Sequence, residues 1–192
     1  MRVAILLIVA TLEVVAAPVT RWPPKSPIHV WMDPSGAPIG ADALVARALA
    51  TWTDATAQRI RLERTTVRED AQIHVYFARS RGVYGETRPR VDPVSGTITA
   101  ADVVIATDTA GDDPLTQRIV LYLTALHELG HAIGLPHTDN FADIMYSFRR
   151  PDDGERYFTA YRSRLHAPGD VGSAQASGLS TNDIAAVRAL YR

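Results

Sequence analysis

His127, Glu128 and His131 form the most chemically informative stretch of the chain: two histidines four residues apart, with a carboxylate directly after the first. On a helix that spacing puts both imidazoles one turn apart on one face, so two nitrogen ligands for a metal ion arrive already aligned. Glu128 stands about 100° around such a helix from His127. From there it can act at the open side of a bound ion without filling a coordination position. His137 comes three residues after Gly134, and it reaches the same point only if the chain reverses. Glycine supplies the left-handed conformation for that reversal, and Pro136 forbids further helix. Three neutral imidazoles with one position left for water are the arrangement of a catalytic zinc site, since structural sites usually close with a fourth protein ligand. Zinc lowers the pKa of its water to about 7 in such sites. Glu128 can then take that proton and pass it to a leaving amine.

The remaining candidates have plainer readings. His29 and His74 fall on expected strands and His166 in a loop, where surface or hydrogen-bonded roles suffice. Asp92, Asp102, Asp108, Asp112 and Asp113 could offer oxygen ligands to calcium, but they lack the spacing of a calcium loop. Turns and caps account for them, and calcium is left without support. The absence of cysteine removes disulfides, thiolate metal sites and a cysteine nucleophile together. A formal net charge of -1 shows no basic excess for a nucleic acid.

The elements that must position the site follow from periodicity. Ile28, Val30 and Met32 alternate with His29, Trp31 and Asp33 as in a strand with two distinct faces, after a proline-rich lead-in over residues 18–27. From Asp42 to about Gln58 the apolar residues Leu44, Val45, Ala48, Leu49 and Trp52 mark an amphipathic helix. Ile60 and Leu62, then Ile73, Val75 and Phe77, give two more strands. Gly82 to Arg90, rich in glycine and charge, suits an exposed edge strand, and Val103 to Ile105 a strand covered on both sides. Asp113 and Pro114 start the helix that carries the histidines, expected to run to about Ile133. Ser180 and Asp183 form a capping-box pair for a last helix.

HELGHAIGLPH, from His127 to His137, resembles the zinc signature of the metzincins. Met145, eight residues beyond the third histidine within Asp143, Ile144, Met145 and Tyr146, is similar to the Met-turn of the matrixin branch. Leu179, Ser180, Asp183 and the ending Leu190, Tyr191 resemble that branch's closing pattern, in which Asp183 would support the Met-turn. The resemblance spans about Ile28 to Arg192 and implies an α/β fold of the α+β metzincin type. Its parts would be a twisted mixed sheet of about five strands with one antiparallel edge strand, two long helices packed on it, and a small C-terminal subdomain with a closing helix. The implied catalytic domain is 28–192, divided into 28–134 and 135–192. One catalytic zinc is expected, because the stretch from Gly82 to Asp108 has no histidine for a second. Ser147 stands two residues after Met145, so no tyrosine ligand is expected there.

Residues 1–17 read as an export signal: Arg2, an apolar run from Val3 to Ala10, and small residues up to Ala16 and Ala17, where cleavage is expected. An uncleaved anchor is the alternative, although the run is shorter than the roughly 20 residues a spanning helix needs. The expectation is therefore a secreted or periplasmic, monomeric zinc endopeptidase acting on polypeptides. With that signal, no propeptide is expected before Ile28. A non-catalytic binding protein and a zinc hydrolase of a non-peptide amide or ester share the same residues and stay open. Residues 148–178 are long for a connection, which usually means functional or mobile chain, and Tyr157, Phe158 and Tyr161 there either wall a substrate pocket or pack the loop onto the body.

Overall fold

A computed structural model describes residues 20–23, 27–80 and 82–192. The expected export signal lies outside the described residues. Five strands, β1 (Pro27–Met32), β2 (Arg61–Arg64), β3 (Ile73–Ala78), β4 (Gly85–Val91) and β5 (Ile98–Ala106), form one sheet in the order β2-β1-β3-β5-β4. All neighbours are parallel except β4, which pairs antiparallel with β5 at the edge. The four helices are α1 (Ala41–Ala55), α2 (Pro114–Ala132), α3 (Asp153–Arg162) and α4 (Thr181–Leu190). This is the mixed-sheet α/β architecture expected from the sequence, with one helix more.

Period-two alternation builds the core on one face of the sheet. Ile28, Val30, Ile73, Val75, Ala101, Val103 and Ile105 are buried there, facing the helices. α1 buries Leu44, Val45, Ala48, Leu49 and Trp52, and the Trp52 indole donates to the Leu126 carbonyl of α2 at 2.8 Å. That bond satisfies the one polar atom the indole brings into the core. The helix that carries the histidines is thereby fixed against both sheet and α1.

Four expectations need correcting. Val104 is only half-buried, so β5 alternates and its second face is not covered like its first. α1 ends at Ala55 and not near Gln58, because Ala57 and Gln58 turn left-handed, with φ of 52° and 61°. The lead-in is not outside the structure: Trp22 is 4% exposed, its indole donates to the Ala132 carbonyl at 2.8 Å, and Arg21 bridges to Thr97. Finally, the long segment after the Met-turn contains α3 and two short 3-10 turns, Pro168–Asp170 and Ala174–Ala176. Tyr161 is buried, with its hydroxyl donating to the Ala176 carbonyl at 2.5 Å, so this part of the segment is packed onto the body.

Candidate metal centre and cleft

The helix of the site is closed at both ends by its own sequence. Asp113 caps α2, accepting from the Thr116 amide at 2.9 Å, and Pro114 follows where no helical amide partner is lost. At the other end Gly134 takes φ +97°, its amide donates to the His131 carbonyl, and the Leu135 amide donates to that of Gly130, both at 2.9 Å. This pair of bonds reverses the chain in a Schellman motif. His137 is returned to the helix as a result: its Nε2 lies 3.0 Å from that of His131, which lies 3.1 Å from that of His127.

The proton positions on His127 and His131 follow from their partners. His127 Nδ1 faces the Ile144 carbonyl at 2.6 Å and His131 Nδ1 the Leu135 carbonyl at 2.8 Å. A carbonyl only accepts, so each Nδ1 carries the proton and each Nε2 presents a bare lone pair. Burial pushes His127 down to about 4 and His131 in the same direction, which keeps both rings neutral. Lone pairs aimed at one another at this distance repel unless a cation lies among them. The donor set therefore fits a zinc ion, and these three are the group among the described residues able to hold a metal.

Met145 packs against α2 where a side chain at Gly130 would collide with it and with Trp52. The turn that holds Met145 is anchored from α4. Asp183, 2% exposed, accepts from the Ile144 amide at 2.9 Å and the Ser180 amide at 2.8 Å, while Ser180 Oγ donates to Asp143 Oδ1 at 2.8 Å. Burial raises the Asp183 pKa against the pull of these amides. Tyr146 donates to Asp153 at 3.0 Å and lines the same cleft as the histidines.

Glu128 is 5% exposed and sits against the edge strand. Thr87 Oγ1 lies 2.6 Å from its Oε2, and a Cβ on Gly85 would stand 2.6 Å from its Cγ. Burial pushes the carboxyl up to about 7, opposed by the Thr87 hydrogen bond. Triad and carboxylate share a cleft of about 760 Å3 that also takes in Tyr84, Leu123, Phe148, Tyr157 and Phe158. Tyr157 serves both roles left open for it, lining the cleft while donating to the Asp143 carbonyl at 3.1 Å.

The other candidates stay elsewhere. His74 contacts the Arg68 carbonyl and Asp102, Asp92 accepts from Ser95 in its turn, and Asp108 accepts from the Ser80 amide. Thr87, Gly85 and Tyr84 were not singled out from the sequence as site residues. Only the weak, glycine-rich edge strand marked their place, and nothing local ties them to a helix some 40 residues on.

Fold and donor set together define a metzincin-type metalloprotease. The matrixin family model matches residues 35–159, more than half of the chain, and the chain belongs to the matrixin family. That family is zinc-dependent and acts on polypeptides. No helix of the described residues is long and apolar enough to cross a membrane.

Proposed function

We propose that this chain is a secreted zinc endopeptidase in which His127, His131 and His137 hold the ion and Glu128 moves the proton. One placement supports this best: a buried carboxylate and three lone-pair-bearing imidazoles occupy one cleft beside an edge strand. A bound zinc supplies Lewis acidity towards a peptide carbonyl and makes water a stronger acid. An extended substrate adds to the outer edge of β4 by main-chain hydrogen bonds, which carries its scissile carbonyl along the wall that Glu128 faces. Thr87 holds Oε2, leaving Oε1 to accept a proton from the attacking water and deliver it to the leaving nitrogen. A carboxyl raised towards neutrality by burial suits both transfers, while positive charge at the triad favours its ionised form.

Met145 forms the floor under the ligands, and Asp183 holds the Met-turn in place. We assign residues 1–17 as the export signal and 28–192 as the catalytic domain of a monomer, with the lead-in docked onto it through Trp22.

Denatured casein incubated with the purified protein tests the assignment. Fragments should appear, vanish with a chelator and return with added zinc. Glu128→Gln should keep one zinc per chain and lose about 10²-fold or more of the activity, the usual scale for removing an acid–base group. Proteolysis unchanged by both treatments would overturn it.

A further inference from the structure

Shared side chains form a wall between the catalytic cleft and a second, half-open pocket of about 330 Å3. The two spaces follow one another along α2. Leu123, Thr124 and His127 line the first, whereas Thr116, Ile119 and Val120 line the second. Tyr84, Thr109 and Phe158 line both. From His127 to Val120 the helix rises about 10 Å at 1.5 Å per residue, so the wall stands roughly one long side chain away from the candidate metal centre.

Tyr84 reaches across to complete that wall. It leaves the chain just before β4, stands edge-on to Phe158 at 5.1 Å and to Phe148 at 5.7 Å between ring centroids, and ends at the start of α3. There a Cβ on Gly154 would lie 2.5 Å from the Tyr84 oxygen, so the bare glycine is what lets the ring seat. Edge-to-face aromatic pairs of this kind add to simple area burial. The ring is thus held in place from two sides, not left free to swing.

Resting on the endopeptidase assignment above, we propose that Tyr84 is a specificity-determining residue. With Phe158 it closes the pocket for the substrate side chain beside the scissile bond and shuts long side chains out of the second cavity. The pocket is apolar and aromatic around Leu123, Phe148, Tyr157 and Phe158, so it takes a compact apolar side chain. Opening the wall joins the two cavities and admits an extended arylalkyl group.

Binding to the zinc-loaded full chain reads this without turnover. Two dipeptide hydroxamates that differ only in one side chain, isobutyl or biphenylylmethyl, are titrated by calorimetry against wild type, Tyr84→Ala and Tyr84→Phe. Wild type and Tyr84→Phe should favour isobutyl by at least tenfold, and Tyr84→Ala should shift the ratio at least tenfold towards biphenylylmethyl. If the alanine variant does not fold, Tyr84→Leu should shift the ratio the same way by a smaller factor. A wild type that binds both alike, or a folded variant with an unchanged ratio, overturns the proposal. Failure of the wild type to cut any polypeptide would instead overturn the endopeptidase assignment, with the affinity ratio still reporting on the wall.

Discussion

The Thr87 hydroxyl lies 2.6 Å from Glu128 Oε2 and couples the edge strand β4 to the helix that carries the histidines. Strand and helix lie on either side of the cleft, so this contact fixes where the carboxylate stands relative to an incoming chain. Thr87→Val keeps the shape and removes the donor. Loss of a hydrogen bond to a charged group costs about 1.5–3 kcal/mol, and kcat on a peptide substrate should fall roughly 10- to 100-fold. KM and zinc content should change little, and Thr87→Ser should retain most of the rate. Steady-state kinetics with metal analysis checks this; an unchanged kcat would remove Thr87 from the machinery.

Asp183 joins the closing helix to the Met-turn through the Ile144 and Ser180 amides. Asp183→Ala strands both donors in a buried site, at about 1–3 kcal/mol each. The Ile144 carbonyl, which accepts from His127 Nδ1, moves with the turn. A lowered melting point should therefore come with weaker zinc retention in a competition assay against a chelator. Destabilisation without any change in zinc affinity would limit Asp183 to a packing role.

Trp22 plugs the end of α2 near the chain reversal at Gly134. Trp22→Ala should destabilise the protein by about 3–5 kcal/mol, in the range of buried aromatic truncations. Trp22→Phe, which loses chiefly the indole hydrogen bond, should cost about 1 kcal/mol. Urea denaturation curves separate the two. A negligible effect of the alanine variant would mean that the lead-in is not docked in solution.

Asp113 gives a pH dependence with a defined sign. The Thr116 hydroxyl and amide, then Arg162, hold its carboxyl down to about 2, below the ordinary value near 4. A carboxyl depressed by folding stabilises the native state above its unfolded pKa, and that stabilisation is lost as pH falls through about 2. Wild type should melt higher than Asp113→Asn at pH 6, and the gap should narrow steadily between about pH 4 and pH 2. Because the group is exposed, salt should shrink the gap as well. Melting curves across pH and ionic strength test both statements.

How far the structure was legible varied with how local its causes were. α2, its cap at Asp113, its exit at Gly134 and the Ser180–Asp183 capping box rest on residues within a few positions of one another, and all appear as expected. α3 was not foreseen. Its ten residues carry only Tyr157, Phe158 and Tyr161 as an apolar stripe, and so short a helix is marginal without partners. Its support comes from Asp143 and Ala176, outside the helix. The docking of Trp22 was missed for the same reason, since its partners Ala132 and Tyr191 are more than 100 residues away.

For the site, the sequence by itself determined the donor set: helical periodicity aligns His127 with His131, and a glycine followed by proline turns His137 back. Those are backbone geometries that neighbouring residues dictate. Tertiary structure alone decided what surrounds the carboxylate and where the cleft stops. Thr87 and Gly85 meet Glu128, and Tyr84 meets Phe158 and Gly154, only because the sheet edge is packed against α2 and α3. Packing across such separations depends on the summed burial of the whole core, which no local spacing encodes.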